Sequence, residues 1–250
     1  MTYTPFDIRV LPIFPYYIIL SIFGILLTIK MYFKWRERKV SPPLYLSIVF
    51  SFFTLALIML AVGLAEAIIT NFYKEIYRFS LPFAYAMVIF ADIFFYKFVS
   101  QITNKGEKLF IPLILIGGIV LILLFLPWNW WGIPPEDYEG LLNIRLYSTL
   151  SLVLYSYFIY IVIAITSRRA MKATKDKISK TGLNLLFYAM ISMILFFLMF
   201  IGDTLMITLL DHPGYSVFVY IAWIFAIIFY ILTYLSLVMP KWLVKMIEKE

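Results

Sequence analysis

Three carboxyl side chains, Glu66, Asp92 and Asp203, fall inside long apolar runs, and they are the groups in this chain with the most chemistry open to them. An ionised carboxylate at the centre of a bilayer costs from roughly 3 to over 10 kcal/mol, so each must face a protein interior, be partnered, or carry a proton. Asp92 is expected to be neutral or hydrogen-bonded to a hydroxyl such as that of Tyr96, one turn further along its own helix face. Carboxyls so placed can bind a cation, relay a proton, or hold two helices together by about 1 kcal/mol of hydrogen bonding. Two of them sharing one proton would be the device of an aspartyl protease. The segments Phe90-Ala91-Asp92 and Ile201-Gly202-Asp203-Thr204 lack the fuller motifs of such enzymes, however, and the two acids sit at different depths. No enzymatic activity is expected.

Aromatic and hydroxyl residues recur at helical spacing around these acids. Tyr220, Trp223, Ile227, Tyr230 and Tyr234 follow one another at steps of three and four, as do Ser148, Ser151 and Tyr155, and Tyr188, Ser192, Phe196, Met199 and Asp203. Tyr85 lies two turns before Asp92. If these faces converge, Trp223, Tyr220, Tyr155 and Tyr85 line a pocket in the outer half of a helix bundle, with Asp92, Asp203 and Glu66 at its wall. Such a lining suits a small cationic or amphipathic ligand through cation–π and charge contacts. The same side chains also serve simply to pack helices.

The elements that must carry these residues are seven apolar stretches, roughly Ile13–Ile29, Pro43–Thr70, Phe79–Thr103, Leu109–Leu126, Leu146–Thr166, Leu183–Leu210 and Val217–Met239. Each has close to the ~20 helical residues that cross a ~30 Å hydrocarbon layer. The expected fold is therefore all-α, a polytopic seven-transmembrane helix bundle over residues 1–239, followed by a short cytoplasmic amphipathic tail over 240–250. Of the 21 Lys and Arg residues, 17 fall between helices 1 and 2, 3 and 4, and 5 and 6, or in the tail, with Lys97 near the inner end of helix 3 counted among them. Only Arg9, Lys74, Arg78 and Arg145 remain for the other side. Because short basic loops stay cytoplasmic, the amino terminus is expected outside and the carboxyl terminus inside, in a multi-pass protein of the cell membrane. The outer side carries the matching signature: an indole cluster at Trp128, Trp130 and Trp131, then the acids Glu136, Asp137 and Glu139.

Composition removes whole classes of activity. With no cysteine and one histidine, His212, the chain lacks the ligands for bis-imidazole haem, for a His/Cys zinc centre or for thiol chemistry. No glycine-rich phosphate loop precedes a helix, and helix 7 has no lysine for retinal attachment. No cofactor is expected. The net charge of +7 resides in membrane-proximal loops, which points to anionic lipids of the inner leaflet rather than to nucleic acid. Met1 to Pro12 has no basic region leading to a small-residue cleavage site, so helix 1 is expected to remain as a signal anchor.

At the inner edge, Arg168, Arg169 and Lys172 in the helix 5–6 connection are expected to meet lipid headgroups or an acidic partner surface. In the tail, Trp242, Leu243, Met246 and Ile247 share one side of a helix and Lys241, Lys245 and Lys249 the other, as in a short helix on the membrane surface. Helix 4 is almost wholly aliphatic, and Gly117-Gly118 would permit one close contact while the rest faces lipid. Pro82 and Pro112 are expected near helix starts, where a lost amide costs least.

The layout and the final segment, Tyr230-Ile231-Leu232-Thr233-Tyr234-Leu235-Ser236-Leu237-Val238-Met239-Pro240-Lys241-Trp242, resemble the seven-helix membrane sensor region of some archaeal and bacterial receptor histidine kinases. In that family a cytoplasmic kinase follows, whereas this sequence ends about ten residues after Pro240. The resemblance implies a stand-alone sensor or receptor-like protein that signals through a separate cytoplasmic or membrane partner. The alternative is a transporter of protons, cations or small solutes. A three-plus-one-plus-three layout would equate helices 2 and 6, which both carry a glycine and an acid, Gly63 with Glu66 and Gly202 with Asp203.

Overall fold

The computed structural model describes residues 3–103, 106–126, 144–210, 212 and 215–249. The indole cluster at Trp128, Trp130 and Trp131, the acids Glu136, Asp137 and Glu139, and Lys105 lie outside the described residues. The described residues form eight α-helices: α1 (Ile13–Arg38), α2 (Ser41–Thr70), α3 (Glu75–Thr103), α4 (Phe110–Leu124), α5 (Ile144–Ala173), α6 (Lys177–Leu210), α7 (Val217–Val238) and α8 (Lys241–Lys249). One-turn 3₁₀ helices at Ile8–Val10 and Glu107–Leu109 lead into α1 and α4. Seven of these helices are long and apolar enough to cross a membrane. The all-α, seven-helix architecture read from the sequence is thus present, and the chain is a membrane protein by the length and composition of its helices.

The chain separates into two compact units, Met1–Ser156 and Tyr157–Glu250, with the division falling inside α5. In the first unit α2 packs along both α1 and α3. Leu20, Gly24, Leu27 and Met31 form the buried stripe of α1, and Ser47 on α2 donates to the Thr28 carbonyl at 3.1 Å. Phe52 of α2 stacks between Phe90 and Phe94 of α3, with ring centroids 5.4 and 5.9 Å away. Lipid tails are as apolar as these side chains, so such close van der Waals packing and interhelical hydrogen bonds hold the helices together.

Helix 4 presents the face expected of it. Leu113, Gly117, Val120 and Leu124 are buried, while Ile111, Leu115, Ile119 and Ile122 on the other sides are each 59–68% exposed. The two glycines have different roles. A Cβ on Gly117 would lie 2.9 Å from the Tyr155 hydroxyl, whereas one on Gly118 would meet nothing within 4 Å. The 15 residues of α4 rise about 22 Å, and the preceding 3₁₀ turn brings the element close to the bilayer core thickness.

Pro82 departs from the expected pattern. Helix 3 begins at Glu75, one turn earlier than its apolar run, so Pro82 lies inside the helix and leaves the Arg78 carbonyl without its i+4 amide. The earlier start follows from a cap: the Glu66 carboxylate accepts the Tyr77 amide at 2.9 Å, satisfying an exposed donor of the first turn.

In the second unit α6 and α7 form an antiparallel pair. Ser192 donates to the Phe225 carbonyl at 2.7 Å, and Ser236 near the end of α7 donates to the Gly182 carbonyl at 2.7 Å. Helix 7 stops at Met239, which takes a left-handed conformation with φ 48°. Pro240 then prevents its continuation, and α8 starts one residue later. Helix 6, 34 residues long, measures about 51 Å and must tilt or project beyond a bilayer core.

Candidate functional site

Asp92 sits in the middle of α3 and is wholly buried. Its Oδ2 accepts a hydrogen bond from the Ser156 hydroxyl at 2.6 Å, and Ser156 is likewise fully buried. The partner is thus a hydroxyl, but not that of Tyr96. The Tyr96 phenol points toward the basic end of α3 and donates to the Gly106 carbonyl at 2.8 Å. Helical direction explains the difference: a residue one turn on has its side chain stacked along the helix axis, whereas a residue on a facing helix can approach the carboxyl head on. Ser156 escaped sequence reading because Ser148, Ser151 and Tyr155 already accounted for a polar face of helix 5. One residue further round, Ser156 continues the polar face from Ser148 at an eight-residue step.

The neighbouring Tyr155 is fixed by α4. Its hydroxyl donates to the Leu113 carbonyl at 3.1 Å across the gap that Gly117 leaves open. Ser148 is buried, and Ser151 turns back to the Tyr147 carbonyl at 2.8 Å. Tyr85 is half-buried, seven residues before Asp92 on the same helix. Within the first unit the structure therefore gathers Asp92, Ser156 and the Tyr155-Gly117 contact around the middle of α3.

Glu66 does not join them. Capping Tyr77, it lies about 22 Å along α3 from Asp92 at the rise of an α-helix. In the second unit Asp203 has a matching job. Its Oδ1 accepts the amide of Ser216 at 2.8 Å, the residue that caps the start of α7. Gly202 beside it packs face on against Phe218, whose ring lies 3.1 Å from the position a Cβ would take. Trp223 is buried against Phe196 and Phe200, with centroids 5.4 and 6.3 Å away in edge-to-face geometry. Tyr220 is half-buried on α7.

Two clefts open at helix ends. One, of about 520 Å³, is lined by Ser41, Pro42, Ser100, Gln101 and Glu107, where Glu107 pairs with Lys97 at 2.9 Å. The other, of about 310 Å³, is lined by Ile165, Arg168, Arg169 and Lys172. Arg168 also lies over the Phe187 ring at 5.6 Å. On α8, Ile247 is buried while Trp242 and Met246, four residues apart, are 55% and 58% exposed. The apolar side of this helix is therefore divided between protein and surroundings. Among the described residues no group of three His, Cys, Asp or Glu side chains is placed to hold a metal ion. In comparisons with known proteins, no family model, curated protein or solved structure matches this chain.

Proposed function

We propose that this chain is a seven-helix membrane sensor whose responsive element is the Asp92–Ser156 couple. The observation that carries the reading is a carboxyl buried at mid-span that accepts a serine hydroxyl from α5. Such a bond has two discrete arrangements, made and broken. An amphipathic or cationic ligand, or a proton, that favours one of them shifts the helices that bear it. Glu66 and Asp203 are already engaged with the amides at the starts of α3 and α7, which leaves Asp92 as the acid best placed to respond. Readout belongs to the amino-terminal-outside, carboxyl-terminal-inside orientation, through α8 and a partner at the inner face. There the cleft of Arg168, Arg169 and Lys172 attracts anionic lipid phosphates.

A second reading, a carrier of protons, cations or small solutes, draws on the likeness of the α2–α3 and α6–α7 hairpins. Each pairs a tight glycine with an acid that receives an amide at the start of the next helix. Repeats of this kind occur in transporters.

One experiment separates the two. Wild type and Asp92→Asn are reconstituted in liposomes, and both pH-gradient-driven flux and hydrogen exchange of the α8 amides are followed across a panel of amphiphilic cations. Ligand-dependent exchange at α8 that is lost in the variant, with no flux, supports the sensor. Flux that depends on Asp92 supports the carrier, and neither response in wild type overturns both.

A further inference from the structure

Among the described residues, Arg78 stands with Asp92 and Asp203 as a buried charged side chain, and it is the basic one of the three, 5% exposed. Among the described residues its Nε and Nη2 have no hydrogen-bond partner. These two nitrogens form one edge of the guanidinium fork, the edge that receives both oxygens of a carboxylate. Leaving charge-bearing donors buried and unsatisfied is costly, so the arrangement calls for an acceptor.

The surroundings indicate what kind. Residues 3–7 run back over the α2–α3 turn as a strap: Phe6 donates to the Asn71 carbonyl at 2.9 Å, Tyr73 to Thr4 at 3.0 Å, and Pro5 bridges to Phe72. The strap lays the Tyr3 ring over Arg78, with the guanidinium carbon 5.0 Å from its centroid and Lys74 Nζ at 5.7 Å. The Tyr3 hydroxyl is fastened to exposed Glu75 by a hydrogen bond. The charged groups that share Tyr3 with the guanidinium are Lys74, Glu75 and, capping the same helix start, Glu66. Two acids nearby oppose a doubly charged ligand, and the aromatic roof favours one with an apolar body.

We propose that Arg78 is the binding group for a small organic monocarboxylate, with Tyr3 as the lid over it. The site lies about 20 Å along α3 from Asp92 and does not rest on the sensor reading. A carboxylate accepts from Nε and Nη2 together while its apolar part meets the Tyr3 ring, and exchange requires the Tyr3–Glu75 bond to open.

The test uses the whole protein in nanodiscs, with benzoate as probe and chloride holding ionic strength constant. Phenylglyoxal modification of Arg78 is followed by mass spectrometry, with exposed Arg9 in the same molecules as reference, alongside the thermal midpoint. Benzoate is expected to slow modification of Arg78 at least threefold, saturably, with no effect at Arg9. It should also raise the midpoint of wild type, while Arg78→Lys, which keeps the charge but loses the fork, weakens the response about tenfold or more. Tyr3→Ala should speed modification of Arg78 severalfold. The proposal is overturned if benzoate moves neither readout in wild type or Tyr3→Ala, if Arg9 and Arg78 respond alike, or if inorganic phosphate protects where benzoate does not.

Discussion

Ser156 and Asp92 bind each other at 2.6 Å from two helices, both side chains fully buried. Removing the donor takes a hydrogen bond from a buried carboxyl oxygen, whereas neutralising the acid leaves an oxygen that still accepts from Ser156. Ser156→Ala is therefore expected to destabilise the protein by about 1–3 kcal/mol. Asp92→Asn should cost less than Ser156→Ala. Denaturation of both variants in lipid nanodiscs measures the difference, and equal losses would mean that the bond contributes nothing specific.

The α2–α3 crossing depends on Gly63. A Cβ there would lie 2.5 Å from the Ser80 hydroxyl and 2.9 Å from the Tyr77 backbone. The backbone cannot give way as a flexible side chain can, so Gly63→Ala should destabilise by about 1–3 kcal/mol. Gly118→Ala, with open space around it, should be neutral or stabilising by up to about 1 kcal/mol from helix propensity. Thermal midpoints of the pair of variants provide the check.

Glu66 and Asp203 are expected to behave as caps. Glu66→Ala and Asp203→Ala should each cost about 0.5–2 kcal/mol, with faster hydrogen exchange confined to the first turn of α3 and of α7 respectively. Exchange that changes instead around mid-span α3 would show that the acids act elsewhere.

Asp176 caps α6 by accepting the Ser179 amide at 2.8 Å, and hydrogen bonding from the Ser179 side chain, then from that amide, holds its carboxyl below the ordinary aspartate value of 3.8. A depressed carboxyl contributes stability above its unfolded pKa and loses it as pH falls through the folded one. Opening of the first turn of α6 should accordingly increase on acidification below about pH 4, and Asp176→Asn should flatten this dependence. Residue-resolved exchange across pH reads both.

Tyr3 behaves in the opposite sense. Its hydrogen bond to Glu75 raises the phenol above its ordinary value of 10.0, so the stability it gives the strap is complete below pH 10 and is lost as pH rises through the folded value. Phenylglyoxal access to Arg78 should rise at that pH relative to Arg9, and Tyr3→Phe should remove the step.

The sequence by itself determined the class and the elements. Hydrophobic length picked out the seven helices, because a membrane span must satisfy every backbone group within itself and so announces itself in composition. The lipid face of α4 was legible for the same reason, since an unbroken aliphatic run has no polar partner to seek. Helix starts were read less well: α3 begins at Glu75 rather than Phe79, because its first turn is stabilised by Glu66 from another helix. Only the tertiary structure decided which polar groups meet. Ser156 rather than Tyr96 partners Asp92, Gly117 rather than Gly118 makes the close contact, and Arg78, counted in the sequence as one of four outer cations, is buried beneath Tyr3. Periodicity places a residue on a face of its own helix, but which face of which neighbour lies opposite is set by packing between elements distant in sequence, where one residue of rotation exchanges one partner for another.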